Sequence, residues 1–305
     1  MPAKDANDAK KGEEQTNGGK RMDIGEYIWS FLTQTHPADR TAWMPSRILA
    51  LIGTAVAAVL AVSVQAEPVQ LTTADSWSLK ATWVPAKEGK MTFILVHEAG
   101  KNKDSWSHLS PALAVAGFGY LAIDLRAHGE SVRSPSGETV GWKELQVSKE
   151  KNDWIAMTED LQAAERWLVG RNVPEASIGY IGADLGAALA VRRAATRVTT
   201  PLVVLISPRL ASKDIPILNA VRAYKDRPIL MVYSEADKRS ARDVPVIYTF
   251  ARLAAGEQRT ACMSVASEGY GTGLFEAQPE LVARVVNWIA KPVASAPPAV
   301  GQSPK

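Results

Sequence analysis

A chain of 305 residues, 46% hydrophobic and 22% charged, is ordinary globular material and long enough for one large domain. Its net charge of +3 is not gathered into a basic stripe, which argues against nucleic acid as a partner. The single cysteine, Cys262, excludes an internal disulfide, and the scattered histidines offer no metal cluster.

In the first twenty positions Lys4, Lys10, Lys11 and Lys20 are offset by Asp5, Asp8, Glu13 and Glu14, without apolar periodicity, so that stretch reads as disordered. From Ile48 to Val64 the chain is almost wholly apolar, preceded by Arg47 and followed by the small-residue pattern Val64-Gln65-Ala66. That is the pattern of a secretory signal. Met44 gives it a leader of normal shape. Residues 1–43 are therefore read as a disordered or mis-assigned extension, and residues 44–66 as a signal peptide cleaved before Glu67. The alternatives are an uncleaved membrane anchor, for which about 17 apolar residues is the short limit, and a buried helix. The expected location is periplasmic or extracellular, with membrane attachment only through residues 48–64.

Beyond Glu67, Val69 to Thr73 and Trp77 to Val84 have the character of opening antiparallel strands. Thr92 to Val96 and Tyr120 to Ile123 are continuous apolar runs of the kind buried in parallel sheets. A helix is expected over Ser105 to Ala116, stopped by Gly117. Ser134 to Lys151 is polar and reads as a surface loop. A helix from Asn152 to Gly170 carries Trp154, Met157, Leu161, Ala164 and Leu168 on one face. Strands follow at Ser177 to Gly182, Leu202 to Ile206, Pro228 to Tyr233 and Ala261 to Ala266, with helices at Leu185 to Thr196 and Pro279 to Ala290. The Pro- and Ala-rich tail 291–305 reads as disordered. Strands alternating with helices predict an α/β domain over 67–290, with a mostly parallel sheet covered on both faces and no large cap domain. Cys262 falls in an apolar run and reads as a core residue.

In such sheets the functional groups lie at the carboxyl ends of the strands. Those ends carry His97-Glu98-Ala99-Gly100, Asp124 to Ser131, Gly182-Ala183-Asp184-Leu185-Gly186, Ser234 to Asp237, and Glu268 to Gly273. No dinucleotide loop is present, because the glycines at 179, 182 and 186 have the wrong spacing. No cofactor is expected.

Taken together, these segments resemble the α/β-hydrolase superfamily, closest to its dienelactone-hydrolase-like and serine-esterase branches. The resemblance rests on the run from Ile94 to Ser131, on the Gly-x-Asp-x-Gly turn, on the acid strand and on the Gly-rich terminal loop. It implies an oxyanion-hole region at Glu98, Ala99 and Leu185. It also implies a nucleophile position at Asp184, a triad acid at Asp237 and a triad base at Tyr270. The family elbow is G-x-S-x-G, so aspartate stands in place of serine, and tyrosine stands in place of histidine. An aspartate nucleophile, as in haloalkane dehalogenases and epoxide hydrolases, still needs a histidine to hydrolyse its ester. A tyrosine is ionised to only about 0.1% at pH 7, which makes it a poor base.

The expected activity is therefore that of a pseudo-hydrolase. Its ligand is an unidentified small molecule, or it has none. An active esterase, or an aspartate-nucleophile enzyme rescued by His97 or His128, is the alternative. On the inert reading Asp184 tolerates a positive φ and its carboxylate faces the first N–H groups of the next helix. Tyr270 then donates to Asp184 or Asp237, forming an Asp–Tyr–Asp cluster. His97 and His128 are expected to serve structure, and His108 to lie at the surface.

Overall fold

Runs that are apolar on both faces form the middle of the sheet. In the computed structural model, which describes residues 66–148 and 150–293, strands β3 (Thr92–Val96), β4 (Gly119–Ile123), β5 (Ile178–Ala183), β6 (Val203–Ile206) and β9 (Ile229–Ser234) are buried at every position. Alternate residues along one strand feed opposite cores, as the period of two requires. On β3, Ile94 and Val96 join one core while Phe93 and Leu95 join the other. Strands β1 (Glu67–Thr72) and β2 (Ser78–Val84) open the sheet antiparallel, and β10 (Thr260–Val265) closes its far edge. The order is β1-β2-β4-β3-β5-β6-β9-β10, with β2 antiparallel to β4 and the later pairs parallel. A two-stranded ribbon, β7 (Ala211–Ser212) with β8 (Ile215–Pro216), stands apart. The predicted α/β class holds.

Helices cover both faces. One core contains residues of α2 (Thr158–Gly170), α3 (Leu185–Thr196), α4 (Leu218–Tyr224) and α5 (Lys238–Ala255). The other contains residues of α1 (Ser110–Val115), α6 (Leu274–Ala277) and α7 (Glu280–Ala290). Trp154, Met157, Leu161, Ala164 and Leu168 are all buried on one face, although only the last three lie in α2. The chain before it forms a 3-10 turn over Ile155–Met157.

The helix expected over Ser105 to Ala116 is broken. A 3-10 turn spans Lys103–Trp106, capped by the Asn102 side chain, and α1 begins only at Ser110. Pro111 is the reason, since a proline fits only the first turn of a helix. Three helices were not anticipated, α4, α5 and the short α6. Pro245 lies inside α5 and leaves one carbonyl ladder bond unmade there. Cys262 is buried, and burial pushes its thiol up to about 12, as suits a core residue.

The leader or anchor at 44–66 and most of the tail lie outside the described residues. Among the described residues no helix is long and apolar enough to cross a membrane.

Candidate active site

Strand β5 passes into α3 through a turn so tight that two of its positions admit no side chain. A Cβ on Gly182 would sit 2.2 Å from the Gly186 carbonyl oxygen, and a Cβ on Gly186 would sit 2.0 Å from that of Val96. Between them Asp184 takes φ 46° and ψ −104°, a sparsely populated conformation that aspartate tolerates better than most residues. Its N–H donates to the Ile206 carbonyl at 2.9 Å, and its carbonyl accepts from Ala187 and Ala188 at 3.1 and 3.2 Å. The turn has the form of an elbow.

The Asp184 carboxylate does not take up the N–H groups of α3, contrary to expectation. Its Oδ1 instead faces Arg209 Nε at 3.5 Å. Arg209 follows β6 in the stretch Ser207-Pro208-Arg209, and its full charge attracts the carboxylate more strongly than the partial charge of a helix end. The Arg209 guanidinium also lies 4.5 Å over the Tyr270 ring. Arg209 thus joins two residues that the sequence singled out, and it was not among the candidates itself.

The terminal loop that carries Tyr270 is tied down from two sides. Ser207, wholly buried at φ 46°, accepts from the Gly271 N–H at 3.0 Å. Glu98 Oε1 accepts from the N–H and the hydroxyl of Thr272 at 3.2 and 2.8 Å. The Glu98 carboxylate therefore spans from the loop after β3 to the terminal loop. Burial pushes the Tyr270 hydroxyl far above the ordinary tyrosine range, the Asp184 carboxylate adds to this, and Arg209 only partly opposes it. Phenolate is not available near neutrality.

Asp237 does not join this group. Its carboxylate accepts from the Arg239 N–H at 3.3 Å and the Ser240 hydroxyl at 2.5 Å, capping α5. The Asp184–Tyr270 half of the expected Asp–Tyr–Asp cluster agrees with the structure, and only its Asp237 half is corrected: Asp184 and Tyr270 group with Arg209 and Glu98 instead. The cause is local: an aspartate directly before a helix start satisfies that helix first.

The histidines are occupied elsewhere. The Leu125 N–H donates to His97 Nε2 at 3.1 Å, so Nδ1 carries the hydrogen and donates to the Glu98 carbonyl at 2.7 Å. Burial, helped by His128, lowers the His97 pKa to about 3. His128 Nδ1 donates to the Arg126 carbonyl at 2.9 Å, its ring stacks on Trp142, and burial lowers its pKa too. His108 is exposed. Among the described residues no imidazole contacts Asp184.

The neighbouring stretch Asp124 to Ser131 is consumed by structure. Asp124 accepts from the N–H groups of Lys103 and Glu130, and its carbonyl accepts from the Ser131 hydroxyl. Arg126 is held by Asp160 and Asp75. Among the described residues no group of metal-ligating side chains is present.

The comparisons agree with this geometry at the level of the fold. The model of the alpha/beta hydrolase family matches residues 93–301, and the chain belongs to that family. Among solved structures, an esterase of Pyrococcus furiosus is 20% identical, covering 85% of this chain and 97% of its own, with a TM-score of 0.58. A dienelactone hydrolase of Anabaena variabilis is 17% identical over 76% of this chain and 99% of its own, with a TM-score of 0.54. An esterase of Exiguobacterium antarcticum is 10% identical over 74% of this chain and 100% of its own, with a TM-score of 0.53. No curated protein matches.

Proposed function

We propose that this chain is an exported α/β-hydrolase-fold protein that has lost serine-hydrolase turnover and uses the scaffold for binding. One observation carries the reading: the elbow is kept in backbone form, yet among the described residues no imidazole is hydrogen-bonded to the residue it presents. Acyl transfer needs a nucleophile, a base and an orienting group within hydrogen-bond reach of one another. Here the nucleophile position is Asp184, paired with Arg209. The base position is a phenol held protonated, and the acid position caps α5.

Glu98 adds a fourth obstacle. Its buried carboxylate places negative charge beside the loop where an oxyanion would have to be stabilised, and like charges there raise the barrier. The alternative of an aspartate nucleophile lacks the imidazole that would release its ester. Export rests on the apolar run at 48–64 and its flanks.

The test is direct. The full chain incubated with short acyl esters is expected to show no turnover above buffer, and a fluorophosphonate is expected to leave its mass unchanged. Turnover that disappears in Asp184→Ala would refute the reading, as would an alkyl adduct on Asp184 that forms and is then released.

A further inference from the structure

Three helices, α2, α3 and α4, leave a groove of about 420 Å³ between them, the size of a small-molecule site. Thr158 and Gln162 line it from α2, Arg192 and Arg193 from α3, and Asn219 from α4. Ala220 and Ala223 keep it open, because their side chains end at the first carbon. Arg192 stands about 12 Å along α3 from Asp184, so the groove is separate from the elbow.

Its charge is set by one unspent arginine. Arg193 and Arg197 both pair with the Glu165 carboxylate, at 2.6 and 3.0 Å. The carbonyls where α3 ends are taken by Arg227, which donates to those of Ala194, Arg197 and Thr200 at 3.0, 2.7 and 3.4 Å. Arg192 has neither task. It enters no ion pair among the described residues, and its half-buried guanidinium has an Nε shielded from solvent without an acceptor. No carboxylate lines the groove to balance it. A charge with neither full hydration nor a counter-ion favours an anion beside it.

The other lining groups refine the class. Gln162 donates to Glu159 at 3.0 Å and retains an acceptor in its carbonyl oxygen. The Thr158 hydroxyl and the Asn219 amide can each donate and accept. Hydroxyls on a ligand match such a lining, since they do both. A carboxylate brings the one negative charge required and fits the planar fork of a guanidinium. A phosphate monoester, at about −1.5 to −2 near pH 7, would exceed it.

We infer that the groove between α2, α3 and α4 binds a small hydroxylated carboxylate, its carboxylate held by Arg192 and its hydroxyls by Thr158, Gln162 and Asn219. The inference goes beyond the reading of the Asp184 centre and stands whether or not that centre turns over.

The experiment is thermal unfolding of the full chain titrated with sodium D-glucuronate, against D-glucose, sodium chloride and sodium phosphate at matched concentration. At about ten times its dissociation constant glucuronate is expected to raise Tm by about 3–5 °C, while glucose and chloride do not and phosphate does so less. Arg192→Gln removes the charge, and Ala223→Leu fills the groove while keeping it. Each is expected to abolish the glucuronate shift, and Ala223→Leu decides if Arg192→Gln fails to fold. Arg166→Gln, at an exposed arginine outside the groove, is expected to keep it. No shift, an equal shift with glucose, chloride or phosphate, or a shift that survives Ala223→Leu would overturn the inference. Ester turnover measured on the same samples reports on the Asp184 centre, so the two readings fail separately.

Discussion

Gly186→Ala is expected to destabilise the protein by about 3 kcal/mol, the upper end for overpacking a tight contact. The added Cβ would lie 2.0 Å from the Val96 carbonyl oxygen, 2.6 Å from its carbon and 2.8 Å from the His97 carbonyl oxygen. All three atoms are backbone of β3 and its exit, in the middle of the sheet, and cannot turn aside as a side chain would. The gain in helix propensity from glycine to alanine, about 1 kcal/mol, offsets only part of this. Gly170, in the last turn of α2, is the control, because a Cβ there meets nothing within 4 Å. Gly170→Ala is therefore expected to be neutral or slightly stabilising. Urea midpoints at unchanged slope measure both variants, and a Gly186→Ala protein as stable as the parent would refute the close approach of α3 to β3.

Arg126→Met is expected to cost about 3–5 kcal/mol near neutral pH, the range for leaving one partner of a buried ion pair alone. Asp160 is completely buried, and its carboxylate receives the Arg126 backbone N–H at 2.8 Å and the guanidinium at 2.8 and 2.7 Å. Burial already pushes Asp160 up to about 6 despite the attraction of Arg126. Without the arginine it rises further. A carboxyl raised in the folded state binds its proton more tightly there than when unfolded. Its favourable contribution is therefore full below the unfolded pKa near 4 and is lost as pH rises. The deficit of Arg126→Met should be flat from about pH 4 to 6, where both folded proteins hold the Asp160 proton, and grow from about pH 6 to 8, where only the variant does, and adding Asp160→Asn should recover most of it. Denaturation across that pH range gives the answer, and a pH-independent deficit would count against the buried pair.

The strands were legible in the sequence because burial on both faces leaves little room for polar residues. Thr92 to Val96 and Ile229 to Ser234 are almost purely apolar for that reason. α5 was not legible: Pro245 interrupts it, and its exposed side is a mixture of charges. That omission propagated to the site. Asp237 looked available for catalysis only while the helix it caps was unseen.

The elbow was readable from two glycines and their spacing, since the steric demand on them is local. Arg209 was not, because its contact with Asp184 depends on how β6 and the following loop turn back over the strand ends. Glu98 was singled out by its place just after β3, but its bond to Thr272 spans 174 residues, and no local pattern encodes a contact of that reach.

Among the described residues no imidazole is hydrogen-bonded to Asp184, and histidine ¹⁵N NMR measured against pH tests this most directly. His97 is expected to stay in the neutral Nδ1–H form down to about pH 5, well below the ordinary titration near 6.5. The same shift means that stability contributed by His97 is full above about pH 6.5 and lost as pH falls toward its folded value. Asp184→Asn is expected to leave the His97 and His128 resonances and midpoints where they were. A histidine titrating near neutrality, with a midpoint that drops in Asp184→Asn, would contradict the account.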